Sequence, residues 1–178
     1  MRTIFRIVGV LVVLVVALIA IAFFLPREVT VERQTEIAAA PDAVFSQIND
    51  LKAFSDWSPW SAQDPDMVQE FEGPEAGPGQ IMRWQSAELG EGSMTITAVD
   101  PDKRVDTALD FGPMGSAVSW FDLAPSGEVT TVTWGFTTDL GMNPIARWMG
   151  LMMDGMVGAD YETGLASLKA KIEAAPEG

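Results

Sequence analysis

The sequence predicts an α+β domain, seven antiparallel strands curved around one long C-terminal helix, with a membrane-spanning helix ahead of it. Three observations carry this. The run from Ile7 to Leu25 contains no charged residue and is rich in Val, Leu and Ile. Seven segments of strand character follow, separated by Gly- and Pro-containing turns. From Asn143-Pro144 to Ala175 the apolar residues recur at helical spacing.

At about 1.5 Å per residue, the apolar run spans roughly 28 Å as a helix, close to the hydrocarbon thickness of a bilayer. Arg2 and Arg6 precede it, and Pro26-Arg27 ends it. Ala20-Ile21-Ala22 offers a signal-peptide cleavage pattern, which would make the protein secreted. The run continues past it through Phe23, Phe24 and Leu25, however, and is long for a cleaved segment, so an uncleaved single-pass anchor over residues 1–26 is expected. After the run, Arg27 and Arg33 are balanced by Glu28 and Glu32. Positive flanks stay cytoplasmic, which places residues 27–178 on the periplasmic or extracellular side.

The first strand alternates Val29, Val31, Arg33, Thr35 and Ile37 with Glu28, Thr30, Glu32, Gln34 and Glu36, so one face meets water. Pro41-Asp42 starts a short helix carrying Val44, Phe45 and Ile48, and a second turn carries Leu51 to Phe54. Two short helices thus lead into Trp57-Ser58-Pro59-Trp60. Strands are expected at 67–71, 80–85, 93–99, 104–111, 117–123 and 129–138, an antiparallel meander. In the closing helix, Ile145, Met149, Met152 and Met156 form one stripe, and Tyr161, Leu165, Leu168 and Ile172 form another. The five-residue step from Met156 to Tyr161 turns the second stripe by roughly 140°. A straight helix cannot bury both stripes against one sheet, so a kink or break is expected near 154–158, beside Gly155 and Gly158.

Composition excludes several chemistries. The chain has no histidine and no cysteine, which removes Ser-His-Asp and Cys-His catalysis, thiolate nucleophiles and His- or Cys-ligated metal. A net charge of −14 repels phosphates, so no nucleic-acid partner is expected, and anionic lipid headgroups add no attraction. The Gly-rich turns at 73–79 and 112–115 lack the Lys-Ser/Thr and the following helix of a phosphate loop. Asp64-Pro65-Asp66 and Asp100-Pro101-Asp102 lack the ligand spacing of a calcium loop. No metal or cofactor is expected.

The element order, with AAPDAVFSQINDLKAFSDWSPW (39–60), GPGQIMRW (77–84), GEGSMTITAVDP (90–101), VTW (132–134) and YETGLASLKAKIE (161–173), resembles the polyketide cyclase/dehydrase-like branch of the START/Bet v 1-like (SRPBCC) superfamily. The resemblance implies the helix-grip fold and a hydrophobic cavity between sheet and C-terminal helix. Members bind lipids, sterols, polyketides and plant hormones, and some are cyclases or hydratases. The N-terminal anchor departs from the soluble cyclases.

Large apolar side chains are the candidate ligand-binding residues: Trp57 and Trp60, Met82 and Trp84 on one strand, Leu109 and Phe111 on another, Trp134 and Phe136 on the last. Met149, Met152, Met153 and Met156 crowd the first half of the final helix. Trp supplies broad flat surface and Met adapts its shape, which suits a pocket for variable apolar ligands. The same residues also suit an ordinary core. Arg33, Asp110, Asp122, Asp154 and Tyr161 are the polar groups near these positions, and no pair of them stands out by spacing.

Three readings follow. The first is a membrane-anchored module holding a lipid or other hydrophobic small molecule. The second is a cyclase- or dehydratase-type enzyme acting through a buried carboxylate or Tyr161. The third is a protein-interaction module with a filled cavity and an unknown partner.

Overall fold

A computed structural model describes residues 2–174. It begins with helix α1 (Arg2–Ala22), followed by strand β1 (Glu28–Ile37) and short helices α2 (Pro41–Ile48), α3 (Leu51–Ser55) and α4 (Pro59–Gln63). Strands β2 (Val68–Glu72), β3 (Ile81–Ser86), β4 (Gly90–Asp100) and β5 (Arg104–Asp110) come next. A 3-10 turn at Gly112–Met114, strands β6 (Ser116–Ser126) and β7 (Val129–Asp139), and helix α5 (Pro144–Glu173) complete the chain. All seven strands form one antiparallel sheet in the order β1-β7-β6-β5-β4-β3-β2. Only the β1–β7 pairing joins strands distant in sequence, and β1 is also the strand on which α5 lies.

Alternation along the strands sends one set of side chains under α5. Val31 and Ile37 of β1, Val105 of β5, Phe121 and Leu123 of β6, and Val132, Trp134 and Phe136 of β7 are buried there. Arg104, Asp106 and Asp122 sit on the opposite face, where Arg104 bonds both carboxylates and lies over the Trp120 ring. Asp122 is therefore part of an outer ion cluster, and Asp110, which shares that alternation, is exposed.

Two details differ from the expectation. A third short helix, α4, begins inside Trp57-Ser58-Pro59-Trp60, because Pro59 takes the first helical position, where a missing N–H costs nothing. Helix α5 is also continuous through 154–158, with no break. The premise that both stripes must be buried fails. Tyr161, Leu165 and Leu168 are buried, whereas Ile145, Met149, Met152 and Met156 are 56–69% exposed on the opposite side of the helix. Gly158 serves close packing instead: a Cβ there would collide with the Arg33 guanidinium.

α1 is long and apolar enough to cross a membrane. Its helix ends at Ala22, short of Leu25, and the turn that follows is held by Arg147 from α5. The Arg147 guanidinium donates to the carbonyls of Phe23 and Leu25 and, at 3.5 Å, of Ala22, with two further bonds to Gly141 O. Its charge meets carbonyls at a helix C-terminus, the favourable end of the dipole for a cation.

Candidate ligand cavity

The connection from α2 to α4 forms one wall of the site, and Gln80 fixes it. This buried side chain accepts from Leu51 N at 2.8 Å and donates to Asp50 Oδ1 and Glu75 O, while Asp50 caps α3 through Lys52 N. Within that connection the two tryptophans part company. Trp57 is buried, donates its indole N–H to Gln47 O, and meets Phe54, Phe121 and Trp134 edge-on. Trp60 remains half-buried, edge-on to Trp134 and Tyr161.

Beneath Trp60 the sheet, α4 and α5 enclose a cavity of about 270 Å³. Its lining is Phe54 and Trp60 from the short helices, Met67, Met82 and Trp84 around β2 and β3, Leu89 and Met94 around β4, Leu109 and Phe111 at the end of β5, Phe136 of β7, and Met153, Val157, Asp160 and Tyr161 of α5. Apart from Asp160 and Tyr161 the lining is apolar, so a ligand there would be held mainly by excluding water. Gly92 makes room for Trp84, whose ring lies where a Cβ at 92 would stand.

Of the residues singled out in the sequence, the structure brings Trp60, Met82, Trp84, Leu109, Phe111, Phe136 and Met153 to this cavity. Trp57 and Trp134 are packed behind it. Trp134 stacks on Tyr161 at 3.9 Å with ring planes 8° apart, and donates its indole N–H to Ser119. Met149, Met152 and Met156 point away from the cavity, because they occupy the outward side of α5. Sequence reasoning missed Phe54, Met67, Leu89, Met94, Val157 and Asp160. Met94 was legible in principle, since it alternates onto the inner face and pairs directly across from Met82. Leu89 sits in a hairpin turn, where no periodicity marks it.

The polar groups at the site divide sharply. Burial pushes the Tyr161 phenol well above its usual value, offset in part by hydrogen bonding with the Ser119 hydroxyl. At neutral pH it keeps its proton, which suits packing and donation rather than acting as a base. Asp160 is the carboxylate of the lining, and its Oδ1 accepts from Gln63 of α4 at 2.8 Å, latching α4 to α5. Arg33 projects under α5 and is held by Asp154 at 3.0 Å and Glu162 at 2.7 Å. It is thus a structural tie outside the cavity. Among the described residues no group of three or more acidic side chains is placed to hold a metal ion.

The model of the family described as "Polyketide cyclase / dehydrase and lipid transport" matches residues 28–173. The chain belongs to this family. No curated protein matches the sequence. Among solved structures, Ara h 8.0201 superposes with a TM-score of 0.61 at 14% identity, covering 83% of this chain and 99% of that one. A protein from Thermobifida fusca gives 0.63 at 18%, with 80% and 92% covered. CalU16 from Micromonospora echinospora gives 0.57 at 17%, with 83% and 76% covered. At such identities these likenesses establish the Bet v 1-like fold and nothing finer. The family match spans the sheet and α5 and leaves α1 outside it.

Proposed function

We propose that this protein is a membrane-anchored, extracytoplasmic binding domain that holds a lipid or other hydrophobic small molecule between its sheet and α5. Residues 1–26 form the anchor and 27–178 the binding domain. The observation that carries the reading is the apolar cavity over β3, β4, β5 and β7. About 270 Å³ lies just below the usual span of ligand pockets, roughly 300–1,000 Å³, and suits one short acyl chain or a compact ring system. An open cavity of this kind speaks against an interaction module with a filled interior. The anchor reading rests on the length of α1, and the outward placement rests on Arg2 and Arg6 in its first turns, ahead of the uncharged run from Ile7.

Asp160 favours a second reading, a cyclase-type enzyme, because it puts one carboxylate at the wall of an otherwise apolar cavity. One experiment addresses both. The full chain and a Leu109→Trp variant, which fills the cavity from β5, are purified in parallel and their organic extracts compared by mass spectrometry. A species present with the wild type and at least tenfold depleted in the variant is the cavity's ligand. Identical extracts from two folded proteins would sink the binding reading. Conversion of that species by the wild type, lost in Asp160→Asn, would replace binding with catalysis.

A further inference from the structure

The outward side of α5 changes character along its length. Ile145, Met149, Met152 and Met156 occupy it in the first half; Thr163, Ser167 and Ala170 occupy the same angular position in the second. The apolar stretch is the one that meets α1. Trp148 donates its indole N–H to Leu18 O at 3.2 Å, and Arg147 lies over the Phe23 ring while holding the carbonyls of the turn after α1. Leu18 is four residues, about 6 Å, inside the C-terminal end of α1. A helix packed at that level of a membrane-spanning segment lies within the interfacial layer. The charges of this stretch are turned away from the stripe: Arg147 is buried against the turn after α1, and Asp154 bonds Arg33.

We infer that the first half of α5, residues 144–156, lies in the outer interface of a zwitterionic phospholipid bilayer with its Met stripe immersed. This rests on the reading of α1 as a membrane anchor. The bilayer covers the four exposed apolar side chains, as it does for amphipathic helices that sink about 5–10 Å into the headgroup boundary. Trp148 then takes the interfacial position that its ring and N–H favour.

The cavity is placed to benefit. β1 begins at Glu28 opposite Asp139, β5 ends at Asp110 opposite Ser116, and Ser93 pairs with Asp110. The Leu89 hairpin and Phe111 therefore lie at the end of the sheet from which α1 departs. Met153 and Val157 line the cavity from the same helix that carries the stripe.

The chain has no native cysteine, so single cysteines can be introduced one at a time and spin-labelled. The full-length protein carrying Leu14→Cys, Met149→Cys, Met152→Cys or Thr163→Cys is reconstituted into phosphatidylcholine vesicles. Depth is read from the accessibility of each label to oxygen against a water-soluble nickel chelate. The expected result places Leu14 deep, Met149 and Met152 about 5–10 Å below the headgroup boundary, and Thr163 in water. Labels at 149 and 152 as nickel-accessible as that at 163, with Leu14 still deep, would overturn the inference and leave the anchor standing. A nickel-accessible Leu14 would overturn the anchor and the inference together. Spin–spin broadening at 149 or 152 that unlabelled chain dilutes away would assign the stripe to a second copy, and would overturn the inference too.

Discussion

The two halves of α5 carry apolar stripes of the same spacing and meet opposite fates. From Tyr161 to Leu168 the stripe faces the sheet, with Tyr161 stacked on Trp134 and Leu165 and Leu168 sealed from solvent. From Ile145 to Met156 it faces outward, and the inward side is given to Arg147, Gly150, Met153 and Val157. The helix stays continuous because only one of its stripes is anchored in the domain's core. Periodicity reports that a face is apolar. What covers that face depends on the neighbours: the sheet covers it in the second half, whereas in the first half its four side chains stay 56–69% exposed.

The sharpest way to break this comparison is to truncate one member of each stripe. Leu168→Ala leaves a void under the helix and is expected to cost about 2–5 kcal/mol. Met152→Ala removes an exposed side chain and should stay within about 0.5 kcal/mol in detergent solution. Chemical denaturation of both variants, followed by near-ultraviolet circular dichroism, reads the difference. Equal losses would mean that the first stripe is also packed in the domain.

Glycines sharpen the contrast at a smaller scale and with opposite signs. A Cβ on Gly164 would lie 2.7 Å from the Trp134 ring and 3.0 Å from Pro59, so Gly164→Ala should cost about 1–3 kcal/mol through overpacking. A Cβ on Gly155 meets nothing within 4 Å, so Gly155→Ala should stabilise by up to about 1 kcal/mol through helix propensity. Thermal unfolding of the two proteins should shift in opposite directions. A loss at Gly155 would show that this position needs conformational freedom, restoring the idea of a hinge there.

Much of this was legible in the residues, and the illegible part has a pattern. Alternation in β1 and β7 placed Val31, Ile37, Trp134 and Phe136 inward, because a strand's period of two leaves little freedom once one face is polar. The site was legible where a residue's face decided its role, as for Met82, Trp84 and Leu109. It was illegible where depth decided it. Trp57 and Trp60 share a tetrapeptide, yet the first is sealed behind Phe54 and the second borders the cavity. Only the turn into α4 at Pro59 separates them. Helical spacing likewise marked the Met stripe without telling inward from outward, since Met153 and Val157 put apolar side chains on the other face of α5 as well.

The smallest expected effect concerns the ion pairs that flank the two regimes of α5. Arg33 of β1 ties the middle of the helix through Asp154, and Arg27 ties the start of β1 to Asp139 just before α5 begins. Hydrogen bonds from Arg33 and its charge hold the Asp154 carboxyl below its ordinary value. The Arg27 hydrogen bonds, with a further one from Gly141 N–H, bring Asp139 to about 2. In the unfolded chain both titrate near the ordinary carboxylate value of about 3.9. Depressed folded values mean stability that is fully present above about pH 4 and is lost as pH falls through the folded value. For Asp139 that window runs from about pH 4 down to about 2. Between those limits Asp139→Asn should unfold with a shallower dependence on pH than the wild type, and Asp154→Asn should do the same for the part that Arg33 contributes. Both carboxylates are well exposed, so the change in slope is modest and should shrink further in high salt. If Asp154→Asn leaves the acid limb unchanged while Asp139→Asn flattens it, then α5 is held in place by the buried stripe at 161–168 and by α1, and the Arg33 tie adds nothing to its anchoring.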